Sequence, residues 1–204
     1  MKISEVNQDP AIVDVYLPEL NLININDVLA QPRREGLYSY DPTNCRDELT
    51  MLYETNVALR NLLEDRIRDI TRQLISMDKH RYPMNGPFNE EAFRKFYNTT
   101  TMTLNPVVDN PGFKQNWHLD TRFALLSGMI NLQDNTTQTH FARENLHQVN
   151  GTTPDDINDK VIHKGQTEKF KGTFWLNTEL TWHCVPLVKD IRKILLFNVF
   201  LYQA

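Results

Sequence analysis

From Phe170 to Tyr202 the chain reads FKGTFWLNTELTWHCVPLVKDIRKILLFNVFLY. Three runs rich in β-branched and aromatic residues, Phe170–Leu176, Thr181–Val185 and Ile191–Tyr202, are separated by short stretches of turn-forming residues, the pattern of consecutive strands. The last run is apolar on both of its alternating faces apart from Arg192, Lys193 and Asn198. A strand of that kind is covered on both sides. A charge at the start of a covered strand requires a partner, so Arg192 or Lys193 is expected to meet an anion.

Working outward, similar runs lie at Thr99–Leu104, Trp117–Asp120 and Phe123–Leu132, so the half of the chain after Asn98 reads as β-rich. The stretch Ala142–Lys169 is polar and aperiodic and reads as a long loop. Before Asn98 the pattern changes. Leu49, Leu52, Tyr53, Asn56, Leu59, Leu63, Ile67, Ile70 and Leu74 recur at steps of three and four along one face, which predicts a long amphipathic helix over Asp47–Lys79. Asp41 or Asn44 can cap its start, and the His80–Pro87 segment, with Pro83, Gly86 and Pro87, ends it. A short helix is expected over Asn89–Asn98. Residues Ile12–Leu29 alternate weakly and are broken by Pro18, which predicts a strand or two leading into a loop at Gln31–Tyr40. The expected architecture is mainly β (α+β), with a two-sheet core at 99–204 and helices from a supporting region, 1–98, packed on one sheet. Residues 1–204 read as one domain.

The 204 residues are 40% hydrophobic and 24% charged, with a net charge of -4, which argues against a general nucleic-acid binder. No apolar run approaches a signal core or a membrane span, and Cys45 and Cys184 are too few for a disulfide framework. A cytoplasmic, reducing setting is expected. The N-x-T matches at Asn98, Asn135 and Asn150 read as chance.

His118 and Asp120 are two apart in a segment that reads as strand, so both side chains are expected on one face, able to converge on a metal. The pair alone is weak, since about one His in eight would have an acid two residues on at this composition. The later constellation adds weight: His183 lies in a following strand and Arg192 opens the next. Two imidazoles and a carboxylate form the facial triad that holds Fe(II) with positions left open for co-substrate and dioxygen. An arginine nearby can clamp a distal carboxylate by parallel hydrogen bonds.

Asp109-Asn110-Pro111-Gly112-Phe113 followed by Trp117-His118-Leu119-Asp120 resembles the D-x-P-G-[FY]…H-x-D segment of Fe(II)/2-oxoglutarate-dependent oxygenases, in particular their prolyl-hydroxylase-like branch. Ile130–Asp134 is similar to that family's Y-L-N-D strand end, Lys171–Asn177 to its G-T-F-x-x-F strand, and Trp182–Val185 with Arg192 to its second-histidine strand and co-substrate arginine. The resemblance implies a double-stranded β-helix, or jelly roll, with His118, Asp120 and His183 as iron ligands and Arg192 holding the distal carboxylate of 2-oxoglutarate. It also implies oxidative decarboxylation of 2-oxoglutarate to succinate with dioxygen, coupled to oxidation of a substrate, with peptidyl proline or another amino-acid side chain favoured. The family often places its basic residue ten positions after the histidine, which makes Lys193 a competitor. Arg192 is favoured because a guanidinium suits a bidentate carboxylate. Where relatives often place a tyrosine that touches the co-substrate, this chain has Met129-Ile130-Asn131. Asp120 favours hydroxylation, since halogenating relatives carry a small residue there.

The remaining candidates have simpler readings. His140, followed by Phe141, reads either as a residue on a pocket-facing strand or, favoured, as a structural histidine, His147 and His163 as solvated loop residues, and His80 as a helix-end cation. Trp117, Trp175 and Trp182 read as core or rim packing, Cys184 as a packed thiol turned away from the site, and Arg122 as either a ligand contact or a surface ion pair. The basic residues Arg60, Arg66, Arg68 and Arg72 read as a solvated helix face. The competing classes are a non-catalytic jelly-roll module and a cupin-type metal enzyme, though the latter usually has an H-x-H pair that this chain lacks.

Overall fold

The computed structural model describes residues 1–22, 24–30, 45–49, 57–78, 88–120, 124–146 and 158–201. The strands are β1 (Lys2–Gln8), β2 (Ala11–Tyr16), β3 (Arg46–Glu48), β4 (Thr100–Asp109), β5 (Gln115–His118), β6 (Ala124–Asn131), β7 (His140–Ala142), β8 (Val161–Lys164), β9 (Lys171–Leu176), β10 (Trp182–Val185) and β11 (Arg192–Leu201). The α-helices are α1 (Ile25–Leu29), α2 (Val57–Met77) and α3 (Glu90–Tyr97). A large antiparallel sheet has the order β1-β2-β9-β6-β11-β4-β3 and a small one β5-β10-β7-β8. This interleaving of β4–β11 between two sheets is the double-stranded β-helix.

Alternation along the strands of the large sheet explains the layering. Val13, Val15, Phe174, Leu195 and Phe197 point to one face and form a core with Leu63, Ile67, Ile70 and Leu74 of α2 and Phe93 of α3. Their neighbours Ile12 and Trp175 point to the other face and pack with Phe141 of the small sheet. Strand β11 is therefore apolar on both faces because helices cover one and the second sheet covers the other. Its register with β4 runs from Arg192 opposite Asp109 to Leu201 opposite Thr100. Pro106 is tolerated within β4 because its carbonyl, which accepts from Leu49 N–H at 2.9 Å, lies on the β3 side, where the ladder is short.

Helix α3 begins where the sequence places it. The Asn89 side chain accepts from the Glu91 and Ala92 N–H groups at 3.0 Å each, with Glu90 and Glu91 in the first turn and Arg94 and Lys95 in the last. In α2 Leu63, Ile67, Ile70 and Leu74 of the expected apolar stripe are buried, and the exposed face carries Arg60–Glu64 and Arg68–Asp65 pairs.

Four expectations are corrected. Asp47 and Glu48, read as the start of the long helix, belong instead with Arg46 to an edge strand on β4, because pairing of Arg46 with Asp109 outweighs the local helical period. The cap candidates Asp41 and Asn44 and the His80–Pro87 segment lie outside the described residues. After β2 the chain forms a 3-10 turn, Pro18–Leu22, and then α1, capped by Asn24, in place of a second strand. The added strand instead precedes it: β1 pairs with β2 across a turn containing the cis Asp9–Pro10 peptide. Within the polar stretch Ala142–Lys169, residues 161–164 form β8, which pairs with β7. Finally, β5 ends at His118, so Asp120 lies beyond the strand.

Candidate metal and co-substrate site

His118 and His183 are directly opposite each other in the β5–β10 pair, which brings their ring centroids to 4.2 Å. Each ring is held in the same way. His118 Nδ1 lies 2.8 Å from the Asn116 carbonyl and His183 Nδ1 lies 3.0 Å from the Thr181 carbonyl, in each case two residues back. A carbonyl only accepts, so each Nδ1 carries the hydrogen and each Nε2 keeps its lone pair. Those two Nε2 atoms are 3.8 and 3.6 Å from Asp120 Oδ1. The three candidate ligand atoms all lie within 4.8 Å of one another. The 3.8 and 3.6 Å separations exceed a hydrogen bond and fit inside two metal–ligand bonds of about 2.0–2.2 Å each. The other carboxylate oxygen, Asp120 Oδ2, is buried without a hydrogen-bond partner among the described residues.

The electrostatics favour this arrangement. Burial would raise the Asp120 carboxyl, but His183, Ser127 and His118 together hold it below the ordinary value. Burial, followed by the neighbouring His183, pushes the His118 imidazole down, toward its neutral, ligating form. Phe141 and Trp175 pack against His183 at ring-centroid distances of 5.8 and 4.9 Å and close the site on its inner side.

A cavity of about 100 Å³ runs from this cluster between the sheets to Arg192. Arg192 is 1% exposed and Asp109 0%. Arg192 Nη1 donates to Asp109 Oδ2 at 3.1 Å, and its Nη2 lies 2.9 Å from both Thr139 Oγ1 and Met129 Sδ. Its Nε is buried and without a partner among the described residues. Burial lowers the guanidinium to about 10, against the opposing pull of Asp109, so it stays cationic at neutral pH. Lys193 is on the opposite face of β11 and does not line the cavity.

Among the other sequence candidates, His140 faces away from the site, opposite Cys184, whose thiol burial pushes up to about 12. His163 is corrected: it sits on β8, half-buried, with Nε2 3.2 Å from Asp14 Oδ1, tying the small sheet to the large one. Trp175 lines the cavity, and Trp117 packs on Ala142 and Leu146. His80, His147 and Arg122 lie outside the described residues. The sequence did not single out Arg46, Ser127 or Thr139, which line the cavity together with Met129, from the segment where relatives often carry a co-substrate tyrosine. The one available signal was Asn198, a polar interruption of an apolar strand, which accepts from Ser127 Oγ at 2.8 Å.

His140 supplies a pH prediction. Burial, and then Lys164, hold it below its ordinary value of 6.5, so the unfolded chain takes up the proton first. Its contribution to stability is present above about pH 6.5 and is lost as pH falls through the folded value. The urea midpoint of metal-free protein should fall between about pH 7 and 5, and His140→Gln should make that fall shallower. His118 shifts in the same direction, so part of the slope should persist.

No protein-family model and no curated protein matches the chain. Solved structures do. A prolyl-4-hydroxylase from Pseudomonas putida aligns over 93% of this chain and 91% of its own, at 12% identity and a TM-score of 0.52. The viral collagen prolyl hydroxylase vCPH from Paramecium bursaria Chlorella virus-1, in its 2-oxoglutarate complex, aligns over 92% and 94%, at 11% identity and a TM-score of 0.51. EvdO2 from Micromonospora carbonacea var. aurantiaca aligns over 98% and 93%, at 10% identity and a TM-score of 0.56. The fold is thus the jelly roll of the 2-oxoglutarate oxygenases, prolyl hydroxylases among them, as the resemblance in sequence implies. No helix among the described residues is long and apolar enough to cross a membrane.

Proposed function

We propose that the protein is an Fe(II)/2-oxoglutarate-dependent oxygenase, acting as a hydroxylase. The observation that carries this reading is the convergence of two imidazole Nε2 atoms and a carboxylate within 4.8 Å, at one end of a cavity whose other end is a buried, under-bonded guanidinium. The donor set fits Fe(II): two neutral nitrogens, both fixed in tautomer, and one carboxylate form a facial triad. Bound there, the iron would supply oxidation of the co-substrate and of a substrate C–H bond by dioxygen.

The chain's own residues have distinct tasks. His118, Asp120 and His183 bind the ion. Arg192 takes the distal carboxylate of 2-oxoglutarate, with its Nε free for that contact and Thr139 and Met129 fixing the guanidinium plane. Phe141 and Trp175 exclude water from behind His183. A peptidyl proline or another amino-acid side chain is the favoured substrate, in line with neighbours described as prolyl hydroxylases, one of them bound to a hypoxia-inducible-factor peptide fragment. Two free cysteines suit a reducing, cytoplasmic setting, with residues 1–204 acting as one domain.

The test is anaerobic titration of metal-free protein with Fe(II) and 2-oxoglutarate, followed by assay of succinate. A visible charge-transfer band that needs both ligands, and succinate formation that needs Fe(II), are expected. Iron binding without the band would favour a cupin-type metal enzyme, and binding of neither ligand would sink the proposal.

A further inference from the structure

Arg46 is absent from every motif discussed above, yet the sheet register places it at the co-substrate end of the cavity. In the β3-β4-β11 order, Arg46 and Arg192 are both Cα partners of Asp109, one on each side. Arg46 grips that carboxylate with two bonds, Nε to Oδ1 at 2.6 Å and Nη2 to Oδ2 at 3.2 Å. Its guanidinium also lies over the Phe113 ring, 4.1 Å from the centroid, which fixes its plane. Toward Asp109, Arg192 is left with the single Nη1 bond to Oδ2; its Nη2 turns to Thr139 and Met129, and its Nε has no partner among the described residues.

Charge counting gives the consequence. Asp109 and Arg192 alone would form a neutral buried pair, with the fork of Arg192 free to close on both carboxylate oxygens. With Arg46 present, two cations share the one Asp109 anion, and the other carboxylate of the cavity, Asp120, is engaged with the two imidazoles at its far end. The guanidinium deeper in the cavity is the one left short of acceptors. An uncompensated buried cation is costly, so the site favours entry of a carboxylate.

We infer that Arg46 is a positioning and specificity-determining residue: by claiming Asp109 it keeps Arg192 available, and so makes the cavity select a 2-oxo acid with a second, distal carboxylate. This rests on the proposed function, and the experiment separates the two. Anaerobic, Fe(II)-loaded protein is titrated with 2-oxoglutarate and with 2-oxopentanoate, which has the same chelating head and no distal carboxylate. Arg46→Gln should weaken 2-oxoglutarate by about ten- to a hundredfold, the worth of a charge-assisted hydrogen bond, and leave 2-oxopentanoate nearly unchanged. Adding Asp109→Asn to Arg46→Gln should restore much of the preference, because a neutral amide no longer sequesters Arg192.

A purely structural role for Arg46 would move both ligands equally and would not be rescued. That outcome, or an unchanged ratio in Arg46→Gln, overturns the inference. If Arg46→Gln does not fold, Arg46→Lys, which keeps the charge and gives up the two-pronged grip, should show a smaller loss confined to 2-oxoglutarate; no loss there also overturns it. Wild-type protein that binds neither 2-oxo acid overturns the proposed function and this inference together, whereas wild-type binding with an unaltered ratio in the variants overturns only this one.

Discussion

His183→Ala is expected to abolish tight Fe(II) binding while leaving the protein folded. His183 stands at the centre of the cluster, opposite His118 across the β5–β10 pair and 3.6 Å from Asp120 Oδ1. Its removal leaves two ligands where the facial arrangement needs three. Loss of an outer-shell partner of a metal ligand costs roughly 10–100-fold in affinity, and loss of the ligand itself should exceed that. The side chain is also packed against Phe141 and Trp175, so the cavity left behind should cost about 1–3 kcal/mol of stability. The two effects separate in a thermal melt. Wild-type protein should melt higher with Fe(II) present under anaerobic conditions, by the mass-action stabilisation that a ligand gives the folded state. His183→Ala should melt somewhat lower and show no shift with metal. A variant that keeps the full metal-dependent shift would remove His183 from the site.

Gly172→Ala should give the largest loss of stability from a single added methyl group. Gly172 is opposite Ile130 in the β6–β9 pair, and a Cβ there would land on the backbone carbonyl oxygen of Met129, with Ile130 side-chain and backbone atoms close behind. Backbone in the middle of a seven-stranded sheet has nowhere to move, so the strands must separate. Overpacking typically costs 1–3 kcal/mol, and this position should reach about 3 kcal/mol or more. For a chain of this size that is a drop in Tm on the order of 10 °C. Gly165→Ala is the control. A Cβ there meets first the terminal methyl of Met129, the far end of a flexible side chain, and a much smaller shift is expected. If both variants melt alike, the strand spacing at Gly172 is looser than the structure indicates.

The core strands were legible because the residues that decide them are neighbours in the chain. The apolar run Ile191–Tyr202, the short helix expected over Asn89–Asn98 and the 3.6-residue stripe from Leu63 to Leu74 each carry their own signal, and the structure places β11, α3 and α2 on them. Strands β1, β3, β7 and β8 were not legible in this way. They are short or polar, and what makes them strands is a partner elsewhere: β2, β4, β10 and, for β8, β7. The same reason explains His163, which reads as a solvated loop residue until β8 brings it to Asp14, 149 positions away.

By itself, the sequence determined the chemistry on offer: two histidines, an aspartate and an arginine, in an order and spacing that matched a jelly-roll oxygenase. The tertiary structure decided how they meet. Strand alternation was expected to align His118 with Asp120, yet β5 ends at His118 and Asp120 meets both imidazoles from just beyond the strand. Asp109 stood in a motif without an assigned task, and Arg46 stood just ahead of the expected helix, in no motif at all. Sheet register joined them to Arg192 across 63 and 83 residues of chain. Periodicity and motif spacing report only what lies within a few residues along the chain, whereas a buried charge balance is set by which strands lie side by side.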